Sequence, residues 1–363
     1  MEDRVVVHID FDYFYAQCEE IRNPELRGKP LCVCIFSDRG GDSGAVATAN
    51  YNARKFGAKS GIPIAFAKKR LENQEAVFLP ADFRYYSEIS EKAMNIIKEN
   101  ADIFEYVGRD EAYLDLSERT KGDFETAKHI GQQLKNQILR SVRLTCSIGI
   151  SPNKLVSKIA SDFKKPDGLT AVPPSNVEQF LETLKIRDIP GIGKKTEQSL
   201  TKLNLHTIDD LRKLDIFELQ RKFGRKIGTY IYNSAKGVND DPVKEREPSI
   251  QYSKIVTLKE NSKEYSFLSS TLKEICKELH NIVLKNNRLF KTVSIQFVQE
   301  DLSNKTKSKT LKNPTVNIDE LQKTADKLLQ ELLRDQELLV RRLGVKVSDL
   351  TEMSGQSTIT NYF

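Results

Sequence analysis

Two short acidic stretches could do chemistry if the fold brings them together. Asp10 and Asp12 lie in Asp10-Phe11-Asp12-Tyr13-Phe14-Tyr15, straight after the β-branched run Val5 to Ile9. That run reads as a strand buried on both faces, so its carboxylates emerge where the chain leaves the core. Asp110 and Glu111 stand between two apolar-rich segments, Ile103 to Val107 and Glu111 to Leu116, which meet at Gly108-Arg109. The pattern predicts a hairpin with the two acids at its tip. Successive strand side chains face opposite ways, so an adjacent pair can reach one ion only at a bend or a strand end. Acidic pairs at loop ends are usually just solvated; the second cluster changes that reading. Three carboxylates at one place repel by roughly 4 kcal/mol per pair at about 4 Å and an effective dielectric near 20, so they persist only with cations. Two divalent ions among such carboxylates support in-line phosphoryl transfer.

The elements that must position these acids belong to a chain of 363 residues, too long for one ordinary core and consistent with about two to four domains. A net charge of +6 mildly favours an anionic partner. The five cysteines (Cys18, Cys32, Cys34, Cys146, Cys276) are odd in number and lack paired C-x-x-C spacing, which supports neither a disulfide framework nor structural zinc and fits a reducing cytoplasm. With only four scattered histidines, a metal site would be oxygen-liganded, pointing to magnesium. No apolar stretch is long enough for a signal peptide or a membrane span.

The order and spacing of Asp10 to Tyr15 and Asp110-Glu111-Ala112-Tyr113-Leu114-Asp115 resemble the Y-family translesion DNA polymerases of the DinB type. The resemblance extends over essentially the whole chain. It implies an α+β, multidomain fold: a ferredoxin-like palm with helices on one face (1–27 and 81–172), fingers (28–80), a helical helix-hairpin-helix thumb (173–237), a linker (238–249), an α/β little finger (250–350) and a tail (351–363). It implies that Asp10, Asp110 and Glu111 are the catalytic carboxylates and hold two Mg2+ ions with the Phe11 backbone carbonyl. The activity implied is template-directed DNA polymerisation on primer-template DNA from deoxynucleoside triphosphates, at low fidelity and without proofreading, by a cytoplasmic monomer. A non-catalytic DNA-binding scaffold is the competing reading. Where the family has Ser and an aliphatic residue before the acidic pair, this chain has Gly108-Arg109. Arg109 then either contacts primer or nucleotide phosphate or points to solvent.

Within Ala47 to Gly57, Thr48 is a plausible helix N-cap and Gly57 a plausible stop, and Tyr51 and Arg54 share a face three residues apart. The segment matches the fingers motif, which makes Thr48, Tyr51 and Arg54 triphosphate contacts. Lys165, at the end of Lys158 to Gly168, becomes a second phosphate contact. Tyr15 matches the aromatic that lies beneath the incoming sugar and excludes a 2′-hydroxyl; the alternative is a core tyrosine.

Ile189-Pro190-Gly191-Ile192-Gly193-Lys194-Lys195 is a helix-hairpin-helix signature, in which glycines let backbone amides approach phosphate and the next helix N-terminus adds a favourable dipole. Gly191, Gly193, Lys194 and Lys195 are its candidate DNA contacts, with a weaker second copy at Phe223 to Gly228. From Ile250 onward a β-α-β-β-α-β order is expected, with one strand near 307–312 unclear. Its basic run, including Lys291, Lys305, Lys307 and Lys309, could grip a duplex backbone. In the tail, Gln356, Ile359, Tyr362 and Phe363 resemble a PCNA-type sliding-clamp box, which suggests an archaeal source.

Overall fold

In the computed structural model, which describes residues 4–245, 247–334 and 337–353, the first apolar run forms β1 (Val6–Phe11). Helix α1 (Phe14–Arg22) follows and ends before Pro24, as the missing N–H of proline dictates. β2 (Leu31–Phe36), β3 (Gly44–Ala49), α2 (Tyr51–Arg54), α3 (Ile64–Arg70) and β4 (Val77–Pro80) come next, with sheet order β3-β2-β4. The expected Thr48 cap is wrong. Thr48 lies in β3, and the Asn50 side chain caps α2 by accepting from the Ala53 N–H at 3.0 Å. Asn50 wins because its amide also donates to Glu20 and to the Lys29 carbonyl, each at 2.8 Å, so tertiary bonds hold the cap in place.

The chain continues through α4 (Phe83–Glu99), β5 (Ile103–Tyr106), β6 (Glu111–Asp115), α5 (Ser117–Thr120), α6 (Phe124–Val142), β7 (Cys146–Ser151), α7 (Lys154–Phe163) and β8 (Leu169–Ala171). These make a five-stranded sheet in the order β5-β6-β1-β7-β8, with β8 parallel to β7 added to the four expected strands. Strand alternation divides β1. Val7, Ile9 and Phe11 join the core that includes Ala93 and Ile97 of α4 and Leu134 and Ile138 of α6. His8 faces the other way, towards Ser161 of α7. Helices therefore cover both faces, correcting the one-face expectation, and Asp10, two residues on from His8, falls on the α7 side.

α7 comes very close to the sheet because β7 carries Gly149: a Cβ built there would lie 1.9 Å from the Ser157 carbonyl oxygen and 2.4 Å from the Ser161 nitrogen. Backbone cannot yield as a flexible side chain would. Gly149→Ala should cost about 1–3 kcal/mol or more by overpacking, seen in calorimetry as a lowered first thermal transition; an unchanged melt would mean that α7 is not held this tightly.

Five helices follow: α8 (Val177–Glu182), α9 (Lys194–Thr201), α10 (Ile208–Arg212), α11 (Ile216–Phe223) and α12 (Arg225–Ala235). They share a core with Leu155, Val156 and Ile159 of α7. The expected linker is anchored at its middle. Val243 is buried against Val6 and Tyr113, and the Lys244 N–H donates to Glu105 at 3.1 Å.

A second compact unit comprises residues 36–44 and the described residues from 247 onward. Its elements are β9 (Gln251–Ser262), α13 (Tyr265–Lys285), β10 (Arg288–Gln299), β11 (Asn304–Thr315), α14 (Ile318–Arg334), β12 (Val340–Ser348) and the short β13 (Thr351–Glu352). The β-α-β-β-α-β order is as expected, in a sheet ordered β11-β10-β12-β9. The unclear strand is full length. Lys305, Lys307 and Lys309 stand opposite Phe297, Ile295 and Val293, whose side chains are in the core, so they lie on the helix-bearing side. Lys307 accordingly pairs with Glu331 of α14 at 2.8 Å. Arg342 and Lys346 of β12 stand opposite Val298 and Ser294, on the other face.

Candidate active site

β1 and β6 run antiparallel with Asp10 opposite Glu111, and the Phe11 N–H donates to the Asp110 carbonyl at 2.8 Å. The hairpin tip formed by Gly108 to Asp110 thus delivers both acids to the end of β1. This strand-end placement lets neighbours in sequence serve one site.

Burial pushes the Asp10 carboxyl up to about 6, opposed by the Lys165 ammonium at 2.7 Å. Asp110 stands exposed at the hairpin tip; partial desolvation of its carboxyl, with the Glu111 charge adding to it, shifts it upward too. Glu111 moves the other way. A hydrogen bond from His8, then one from Lys158, hold it down at about 2. Burial drives His8 down to about 4, so its ring is neutral near pH 7. His8 bridges the two elements, with Nε2 at 3.3 Å from the Glu111 carboxylate and Nδ1 at 2.7 Å from the Ser161 hydroxyl, which itself donates to the Lys158 carbonyl at 2.8 Å. Burial works against the charge on Lys165, but Asp10 and Asp162 outweigh it and raise its pKa above the ordinary lysine value.

Two lysines therefore balance this acidic site. Among the described residues no three His, Cys, Asp or Glu side chains already stand as a metal cluster, in keeping with Asp10 and Glu111 being turned to Lys165 and Lys158. The donor set is nonetheless all oxygen, and two of its three carboxylates are disfavoured as anions where they stand. Such a set suits a hard divalent cation.

The family model described as impB/mucB/samB matches residues 9–162, its C-terminal domain model matches 249–360, and a DNA polymerase-iota thumb model matches 187–239. The chain is 67% identical over 364 residues to DNA polymerase IV of Nitrosopumilus maritimus, and 40% identical over 368 residues to that of Methanosarcina acetivorans, covering 100% of each chain in both comparisons. A Y-family DNA polymerase chimera of Dbh and Dpo4 superposes with a TM-score of 0.89 at 36% identity, over 96% of this chain and 99% of that one. The chain belongs to the Y-family DNA polymerases of the DNA polymerase IV type. It is a translesion DNA-directed DNA polymerase rather than the non-catalytic scaffold, and divalent-metal dependence comes with that membership. The insertion ternary complex of Dbh DNA polymerase is also similar, with a TM-score of 0.69 at 36% identity over 95% of this chain and 98% of that one.

On α2, the Arg54 guanidinium lies over the Tyr51 ring at 4.8 Å, and Arg54 Nε donates to the Ala49 carbonyl at 2.9 Å. The Tyr51 hydroxyl is buried and has no hydrogen-bond partner among the described residues, although Asp12, Lys165 and Asp10 all act on its charge. A buried orphan of this kind costs stability unless a ligand meets it. Thr48 lies on the preceding strand, two residues before the Asn50 cap.

Several residues that build the site were missed. Asp12 is buried and accepts from Thr145, Ser147 and the Asp167 N–H at 2.8–2.9 Å, tying the end of β1 to the turn after Lys165. Tyr13 takes a left-handed conformation, φ 37°, to make that exit. Lys158 and Asp162, four apart, share a face of α7, a signal that was available; Lys165 lies beyond the helix end and reaches back to Asp162 at 2.7 Å. Arg109, expected at phosphate or solvent, is exposed but anchored: its Nε donates to Ser87 at 3.0 Å.

In the helical region, Gly191 has φ +82° and packs beside Tyr230, whose hydroxyl donates to the Pro190 carbonyl at 2.5 Å. Gly193 is the N-cap of α9, and Lys194 and Lys195 are exposed on its first turn. The second copy differs. A Cβ on Gly228 would lie 2.5 Å from the Gln220 backbone, so that glycine serves α11–α12 packing. Lys291 sits where the β10–β11 register shifts. Gln356, Ile359, Tyr362 and Phe363 lie outside the described residues.

Proposed function

We propose that this polymerase adds deoxynucleotides to a primer 3′-hydroxyl by nucleotidyl transfer at Asp10, Asp110 and Glu111, with two Mg2+ ions held by these carboxylates and the Phe11 carbonyl. The observation that carries the reading is the strand-end pairing of Asp10 with Glu111 beside Asp110, in a pocket whose charge is balanced by two lysines. Bound there, the ions would activate the attacking oxygen and neutralise the leaving one. Glu111 is held ionised by His8 and Lys158 and is ready as a ligand. Lys165 supports Asp10 until a triphosphate offers it a stronger anionic partner. Tyr51 and Arg54 grip the triphosphate, Thr48 lines the same approach, and Tyr15 lies beneath the sugar. Primer extension with and without magnesium tests the reading: extension that is indifferent to removal of divalent cations would overturn it.

Duplex phosphate contacts fall to Gly191, Gly193, Lys194, Lys195 and Lys291, in a cytoplasmic monomer with palm, fingers, thumb and little finger at the boundaries expected above. The tail recruits a PCNA-type sliding clamp through Gln356, Ile359, Tyr362 and Phe363. Each large apolar side chain would contribute roughly 1.5–3 kcal/mol on burial in a clamp pocket. Ordering the segment offsets part of that, so stimulation depends on the effective concentration set by DNA. Tyr362→Ala with Phe363→Ala should leave extension of a short primer unchanged and remove stimulation by a loaded clamp on a long template. Undiminished stimulation of the double variant would refute the clamp role.

A further inference from the structure

Tyr15 is the centre of an aromatic group whose outer members the proposed reaction leaves without a task. Its ring lies on Tyr86 at 4.8 Å and 19°. Tyr86 is fully buried, and its hydroxyl donates to Glu19 at 2.6 Å, so one face of Tyr15 rests on an immobile floor. Phe83 stands edge-on to Tyr15 at 5.7 Å and 82°, and edge-on to Tyr86 at 6.3 Å and 88°. Phe83 is the weak member. It is the first residue of α4 and remains 37% exposed, with neither the burial nor the hydrogen bond that holds Tyr86.

Arg109 makes good that weakness. Its guanidinium carbon sits 5.6 Å from the Phe83 ring centroid, and its Nε donates to Ser87 Oγ at 3.0 Å. Ser87 in turn donates to the Phe83 carbonyl at 2.7 Å, and Ser90 donates to the Arg109 carbonyl at 2.6 Å. Both the main chain and the side chain of Arg109 are therefore tied to the first turns of α4. An aliphatic residue in its place could cover Phe83 but could not bond Ser87.

We propose that Phe83 and Arg109 are positioning residues for Tyr15, and that together they set how strictly the polymerase refuses a 2′-hydroxyl. The proposal rests on the reading of Tyr15 as the residue beneath the sugar. Phe83 limits sideways movement of the Tyr15 ring, and Arg109 limits movement of Phe83. Loosening either lets the ring move away from a ribose hydroxyl at little cost, while a deoxyribose needs no such room.

The test is the ratio of kcat/KM for a deoxynucleotide to that for the ribonucleotide with the same base, because losses common to both substrates cancel in it. Tyr15→Ala should lose most of the discrimination. Phe83→Ala and Arg109→Ala should each lower the ratio roughly 2- to 10-fold, the range that follows from the strength of aromatic and cation–π contacts. Phe83→Tyr, which keeps the ring, should retain the parent ratio. With Tyr15→Ala already present, Phe83→Ala should change the ratio no further, since nothing is left to position. Parent-like ratios in Phe83→Ala and Arg109→Ala, alongside a collapsed ratio in Tyr15→Ala, would overturn the proposal and leave the role of Tyr15 standing. A parent-like ratio in Tyr15→Ala would overturn both, and an undiminished further loss in the double variant would show that Phe83 acts by another route. Melting curves identify any variant that has lost its fold, and Phe83→Leu, which removes the ring but keeps the bulk, should show the same fall in ratio and decides the matter where Phe83→Ala does not fold.

Discussion

Asp110→Ala should reduce primer extension by about a thousandfold or more while primer-template affinity stays near that of the parent chain. Metal-assisted charge stabilisation in phosphoryl transfer is worth several kcal/mol, and about 4 kcal/mol corresponds to a factor near a thousand. The loss should not reflect damage to the fold. The Asp110 side chain is exposed at the hairpin tip, and its main-chain carbonyl, which receives the Phe11 N–H, survives the substitution. The melting temperature should therefore stay close to that of the parent chain. Asp10→Ala should be as inactive but less neutral in stability, because Lys165 would be left with Asp162 as its ion-pair partner. Single-turnover extension, duplex binding by fluorescence anisotropy and thermal melting separate these effects. Near-normal turnover in a folded variant of either residue would remove it from the catalytic set.

The carboxylates were legible because their chemistry leaves a mark at short range: a β-branched run ending in acids, and two acids at a hairpin tip. The elements around them were legible for the same reason, since periods of two and 3.6 are local. What escaped depends on which face a residue occupies. His8 reads as one more residue of a buried strand until β1 alternation turns it to α7 and so to Glu111. Lys305, Lys307 and Lys309 read as a basic stripe, yet the β10–β11 register places them on the helix side. Thr48 lost the cap to Asn50 because Glu20 and the Lys29 carbonyl, both distant in sequence, hold the Asn50 amide. Arg109 looked like a choice between phosphate and solvent because its partners, Ser87 and Phe83, lie on a helix 22 and 26 residues earlier. In each case a tertiary contact decides what the local pattern could not.

Arg54 and Tyr51 carry the second large effect. Arg54 Nε is already committed to the Ala49 carbonyl, and its guanidinium carbon lies over the Tyr51 ring, so the side chain is held before any nucleotide arrives. Pre-organisation of this kind lowers the entropy lost on binding and keeps the terminal guanidinium nitrogens available for an anion. A charge-assisted hydrogen bond is worth about 1.5–3 kcal/mol, so Arg54→Ala should lower kcat/KM for the nucleotide roughly 10- to 150-fold with DNA affinity barely changed. Tyr51→Phe is the sharper companion because it removes only the buried hydroxyl that lacks a partner. If that hydroxyl served no ligand, deleting it would relieve an unsatisfied polar group, raise the melting temperature and leave kinetics alone. If it meets the triphosphate, the same stabilisation should appear together with a loss in nucleotide efficiency, and the loss should shrink in the Arg54→Ala background, where the phosphate is no longer held against the tyrosine. Equal losses in nucleotide efficiency and DNA affinity for Arg54→Ala would assign the residue to duplex binding instead, and Tyr51→Phe kinetics matching the parent would take the hydroxyl out of the nucleotide site.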